Sequence, residues 1–223
     1  MSKTVLVVAA HADDEALGCG GSLAKHVAAG DKVHVIFVAD GVTSRSGAGQ
    51  EEMVRRQQAT ENARNILGIS TMAFLDLPDN RLDSLPLLDI VQPLEALIGK
   101  LLPEIIYTHH YGDLNIDHRL VHQAVMTACR PLPGSTVREI LAFEVMSSTE
   151  WSSPGLAPFL PNFFVDISAQ MEIKMQALEA YALEMRVPPH SRSTEHMRCL
   201  AKHHGYCMGV DAAEAFMVMR VLR

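Results

Sequence analysis

The sequence predicts an α/β fold in a single domain, residues 1–223, with a mostly parallel sheet covered by helices on both faces. Three observations predict it. Short apolar runs alternate with helical segments of ten or more residues, the pattern of βαβ units. The runs are nearly free of polar residues, as strands buried on both faces require. Polar clusters recur just after the runs, at the carboxyl ends of strands where open α/β sheets build their sites.

The elements follow in order. "TVLVVAA" (4–10) reads as a buried strand and "GSLAKHVAAG" (21–30) as a helix stopped by Gly30. "KVHVIFVA" (32–39) is a second strand. "EEMVRRQQATENARNILGI" (51–69) is a helix with acids in its first turn and Gly68 at its end. "MAFLDL" (72–77) is a strand, and 86–102 a helix whose start is blurred by Pro93. "EIIYTHH" (104–110) is a strand and "DHRLVHQAVMTACR" (117–130) a helix. Beyond 131 the texture changes: 137–145 and 163–167 read as strands, 168–183 and 193–204 as helices. The Ser- and Pro-rich stretch 147–162, with the single tryptophan, reads as a loop facing substrate.

Composition narrows the partners. The chain has 19 basic against 26 acidic residues, a formal charge of −7, which argues against nucleic acid or an anionic membrane as its main partner. No apolar run reaches the length of a membrane span. Four cysteines with no C-x-x-C spacing form no disulfide framework, and a cytoplasmic setting is expected.

The most informative stretch is "AHADDEALGCGG" (10–21), directly after the first strand. Its glycines could cradle a phosphate, but Gly18 and Gly20 are followed by Leu23 where the dinucleotide fingerprint needs glycine. Asp13, Asp14 and Glu15 would also face the phosphate and repel it. A cation suits the same residues. A catalytic zinc site takes three His, Asp or Glu ligands, and a further carboxylate takes a proton from water. "HADD" supplies one imidazole and two carboxylates, and "THHYGDLNIDHRLVH" offers His109, His110, His118 and His122 for the rest. His109 and His110 read equally well as hydrogen-bonding residues at a strand end, and His122 as a packed or surface residue. His118 has a modest lead by spacing. "CLAKHHGYC" (199–207) holds four further zinc-type ligands, but structural sites usually bring two separated pairs, so a buried thiol pair at a helix end is expected there.

These residues resemble the PIG-L/LmbE de-N-acetylases, whose signature is A-H-P-D-D-E-x-x-x-G-x-G-G; Ala12 stands here for the proline. "RRQQATENARNILGI", "FLDLPDNRL", "NIDHRLVHQAV" and "HSRS…HHGYCMGVDAAEAF" resemble further motifs in the family's order, so the resemblance covers most of the chain. It implies a Rossmann-like fold binding Zn2+ (or Fe2+, or another divalent ion) that hydrolyses the acetamide of a small N-acetylated sugar. His11, Asp14 and His118 would be the metal ligands and Asp13 the general base. Arg56 and Asp79 match family positions that contact substrate, and homo-oligomers are allowed.

One departure stands out. The family's H-x-D-H has a histidine where this chain has Asn115, and Asp117 would orient that residue. Asn115 can donate a hydrogen bond but cannot carry a proton. His109, His110 or His190 are expected to serve the substrate in its place. Two other readings remain: an amidase of a bulkier N-acyl or thiol-conjugate amide, and a metal- or sugar-binding protein without chemistry.

Overall fold

The computed structural model describes residues 2–40 and 50–223, with the side chains of 50–53 outside the description. Seven strands of the described residues form one sheet: β1 (Thr4–Ala9), β2 (Lys32–Ala39), β3 (Thr71–Leu77), β4 (Ile105–His109), β5 (Glu139–Phe143), β6 (Phe163–Asp166) and β7 (Ala213–Val221). Their order is β3-β2-β1-β4-β5-β7-β6. The first five pair in parallel, whereas β7 runs antiparallel to both β5 and β6.

Among the described residues six helices cover the sheet: α1 (Asp14–Ala28), α2 (Gln50–Leu67), α3 (Leu87–Leu101), α4 (Ile116–Ala128), α5 (Met171–Ala180) and α6 (Thr194–Met208). Strand alternation splits the core in two. Val5, Val7 and Ala9 pack with Leu23 of α1, Leu67 of α2 and Leu178 of α5. Leu6, Val8 and Ala10 pack on the other face with Ile90 and Leu94 of α3 and Val121 and Val125 of α4. The predicted two-faced α/β sheet is the one observed.

Two readings change. The first helix starts at Asp14, seven positions before the expected Gly21, so the glycine-rich stretch lies inside it. Gly18 and Gly21 are there because larger residues do not fit: a Cβ would lie 2.2 Å from the Phe143 ring at the first and 2.7 Å from Ile167 at the second. The last strand, β7, has no counterpart among the elements expected from sequence. The helix expected over 86–102 is α3, with Pro93 inside it. The polar stretch after β2 lies, for residues 41–49, outside the described residues. Among the described residues no helix is long and apolar enough to cross a membrane.

Candidate metal centre and active site

The carboxyl ends of β1 and β4 lie side by side because the two strands pair directly. The residues that follow β1 and open α1, and those that open α4, therefore meet at one edge of the sheet. A cavity of about 170 Å³ sits there, lined among others by His11, Asp13, Asp14, Arg56, Asp79 and His118.

Three donor atoms converge in it. Asp14 Oδ2 lies 3.4 Å from His11 Nδ1 and 3.4 Å from His118 Nε2. All three lie within 4.8 Å of one another. The second nitrogen of each imidazole faces carboxylates. His11 Nε2 is 3.2 Å from Asp117 and 3.1 Å from Asp79, and His118 Nδ1 is 3.2 Å from Asp113. Carboxylates behind ligand histidines fix ring orientation and raise donor strength. Two imidazoles and one carboxylate with such backing suit a divalent cation with a position left for water or substrate. The electrostatics point the same way. Burial pushes the Asp14 carboxyl up, but His118 and His109 outweigh it and hold the group well below the usual carboxylate range. Burial pushes His118 down, yet Asp14 and Asp113 raise it to about 9. The pocket demands positive charge, as protons or as a metal ion.

Asp13 points elsewhere. Its backbone has φ 133°, a region side-chain-bearing residues rarely adopt, and it turns the carboxylate away from Asp14 although the two are adjacent. Arg192 Nη1 donates to Asp13 Oδ2 at 2.9 Å. Burial raises the Asp13 carboxyl to about 6, with Arg192 opposing the shift. Glu15 is buried below, accepting from the Asp13 N–H at 3.1 Å and from the Tyr181 hydroxyl at 2.8 Å, and burial lifts it to about 8.

The GlcNAc-PI de-N-acetylase (PIG-L) family model matches residues 6–129, more than half of the chain. An uncharacterized deacetylase of Escherichia coli, YaiS, is 34% identical over 80% of this chain and 90% of its own. The chain belongs to the PIG-L family. Its family makes it an N-deacetylase, an amide hydrolase. Diacetylchitobiose deacetylase of Thermococcus kodakarensis is 27% identical over 95% of this chain and 81% of its own. The similarity also extends to 4-oxalmesaconate hydratase of Pseudomonas putida, 28% identical over 81% of this chain and 73% of that protein. A conserved protein of Thermus thermophilus, TT1542, has the same fold, with a TM-score of 0.78, 26% identity and coverage of 99% and 97%.

In this PIG-L chain the place of the family histidine is used structurally. Asn115 caps α4: its side-chain oxygen accepts from the Asp117 N–H at 2.8 Å, and its amide donates to Asn80 Oδ1 at 3.3 Å. Asp117 holds residue 115 through its backbone N–H, while its carboxylate is engaged elsewhere. It accepts from the N–H groups of Asn80 (2.7 Å) and Leu82 (3.1 Å) and stands behind His11.

His109 and His110 do not reach the cavity; both are fully buried. His109 Nε2 accepts from the Ala10 N–H at 2.8 Å, and its ring stacks on His118 at 3.9 Å, so it supports the cage from beneath. His110 Nε2 donates to the Ala157 carbonyl at 2.8 Å. His190 packs edge-on against Trp151 and accepts from the Arg192 N–H, also outside the cavity lining. Their strand-end and loop positions suggest an access that the packing removes. His122, as expected, is a packed residue, donating to the His109 carbonyl.

Arg56 and Asp79 line the cavity, Arg56 ion-paired with Glu184. Cys199 and Cys207 are exposed and not a buried pair. Among the described residues no third ligand group converges with them. Sequence reading missed Asp113, Glu184 and Arg192. Arg192 lies in the quoted "HSRS" motif, but nothing in that motif tells which group it meets.

Proposed function

We propose that this deacetylase releases acetate from a small N-acetylated sugar or sugar conjugate of the N-acetylglucosamine type, with zinc held by His11, Asp14 and His118. The observation that carries the reading is the pairing, in one cavity, of a three-donor cage with a separate carboxylate, Asp13, held at Oδ2 by Arg192. A bound divalent cation supplies Lewis acidity, polarising the acetamide carbonyl and acidifying water. Nitrogen and oxygen donors of this kind suit zinc and also iron(II).

Asp13 takes a proton from the water that attacks the acetamide carbon. The C–N bond then breaks, and Asp13 returns the proton to the departing nitrogen, giving acetate and a free amine. Asn115 cannot relay a proton, so the transfers fall to Asp13. Arg56 and Asp79 are placed to hold sugar hydroxyls.

Charge favours a neutral polyol over an anion. The cavity wall carries Asp13, Asp14, Asp79 and Glu184 against Arg56 and Arg192, and each arginine already pairs with one of those acids. An anionic substrate, as a hydratase of carboxylic acids needs, finds no surplus of positive side chains here. Four unpaired cysteines fit a cytoplasmic location.

The test is release of free amine and acetate from N-acetylglucosamine, its glycosides, nucleotide sugars and chitobiose, with zinc or iron(II) added. Turnover is expected on at least one, falling by about 10³-fold or more in Asp13→Ala. Turnover that survives Asp13→Ala removes the assignment of the base. Silence across the panel removes the sugar deacetylase reading.

A further inference from the structure

Arg192 reaches the cavity from the loop before α6 and is held along its length. Its backbone N–H donates to His190 Nδ1 at 3.0 Å, its Nε to the Met146 carbonyl at 3.3 Å, and its Nη1 to Asp13 Oδ2 at 2.9 Å. The side chain is mostly buried. A guanidinium held at two points, on a backbone fixed at a third, is a poor mobile ligand for substrate and a good clamp.

What it clamps has two directions to choose from. Asp13 sits on a rare backbone conformation with its N–H tied to Glu15, which fixes Cα but leaves the carboxylate free to rotate. A rotated Asp13 would bring the wrong oxygen toward the attacking water. We propose that Arg192 is the positioning residue of the general base: by holding Asp13 Oδ2 it leaves Oδ1 as the oxygen that takes the proton from water and hands it to the amine. The role rests on the deacetylase reading above. It carries more weight in this chain than a charge partner ordinarily would. With Asn115 committed to capping α4 and to Asn80, the same oxygen of Asp13 serves both proton transfers. Both occur only if the carboxylate stays in register with water first and nitrogen second. Protons balance: one leaves the water and ends on the amine, and the other stays with the new acetic acid.

The experiment compares Arg192→Ala, Arg192→Lys, Asp13→Ala and the Asp13→Ala/Arg192→Ala double variant on the best substrate of the panel. Arg192→Ala is expected to lower kcat by about 10²-fold, with KM within about threefold of the unaltered enzyme. Melting temperature and bound metal should stay unchanged. Arg192→Lys, which keeps a charge and a donor, should lose about tenfold, and added guanidinium ion should recover part of the Arg192→Ala loss. The double variant should be no slower than Asp13→Ala alone, because a residue acting only through Asp13 has nothing left to position. Losses that multiply in the double variant would overturn the proposal, as would Arg192→Ala raising KM with kcat intact. Failure of the unaltered protein to turn over any substrate would overturn the deacetylase reading, and this role with it.

Discussion

Asp113 never touches the cavity, yet it orders one wall of it. It faces His118 Nδ1 at 3.2 Å and accepts from the Thr149 hydroxyl at 2.6 Å and from the Ser148 hydroxyl. Asp113→Asn keeps the shape but removes the charge that strengthens His118 as a donor. Zinc affinity, read by competition with a chromophoric chelator, should fall about 10- to 100-fold while the fold is kept. An unchanged affinity would mean that His118 is not a ligand. Glu15 poses the opposite case, a carboxyl whose ionisation is unwelcome. Its folded value of about 8 lies above the ordinary 4.5, so between those pH values the folded state binds more protons than the unfolded one. Stability contributed by the neutral form is complete below about 4.5 and drains away as pH rises toward 8. Glu15→Gln stays neutral, its amide oxygen accepting from the Asp13 N–H and its NH2 donating to the Tyr181 hydroxyl oxygen. In metal-free protein its stability by urea titration should therefore gain on the unaltered chain across that window, by a few kcal/mol at about pH 8. Parallel curves would sink the idea. Residues such as His11 and Asp14 could be picked out from sequence because the donors flank one strand end. Asp113, Glu184 and Arg192 could not, because their partners lie across the fold and no spacing encodes them.

At the scale of elements, α1 is where the sequence misled and where packing explains why. Glycines at 18, 20 and 21 disfavour an isolated helix, and the sequence reading starts the helix only at Gly21. Tertiary contact overrides that preference: α1 lies so close to β5 and to Ile167 that side chains are excluded on that face. A buried pair strengthens the junction, since Glu214 of β7 accepts from the N–H groups of Gly21 and Ser22 while Lys174 of α5 donates to Glu214 and to the Leu17 carbonyl. β7 escaped sequence reading for a related reason. Glu214 and Arg220 interrupt its apolar run, and it is defined by its antiparallel partners, β5 and β6. The glycines separate into two kinds that a stability measurement can tell apart. Gly18→Ala drives a methyl into the Phe143 ring and should cost about 1–3 kcal/mol. Phe143 meets His109 edge-on, and His109 stacks on His118, so zinc affinity should fall as well. At Gly20 the nearest atom to a Cβ is 3.6 Å away, an ordinary contact, so Gly20→Ala should be neutral or stabilise by up to about 1 kcal/mol. Equal effects at the two sites would show that α1 is not wedged against β5.

For the whole molecule, the cage joins two βαβ units that lie side by side in the sheet. His11 and Asp14 belong to the junction of β1 and α1, and His118 to the first turn of α4. A cation bound by all three ties those junctions together, and it does so where Asp13, Asp14, Asp79, Asp113 and Asp117 crowd one edge of a chain already at −7. Binding to the folded state alone stabilises it by about 2.7 kcal/mol when free metal is about 100 times its dissociation constant. In a domain of this size each kcal/mol moves the melting temperature by roughly 2–4 °C, so chelation should lower it by roughly 5–10 °C and added zinc should restore it. His118→Ala should lose the response to zinc while still melting as one transition. The sign matters as much as the size. A melting temperature indifferent to chelator would mean that the carboxylates are neutralised by protons on His11 and His118, with no metal in the cage. Amine release at full rate in chelator would then place the chemistry on Asp13 without a cation.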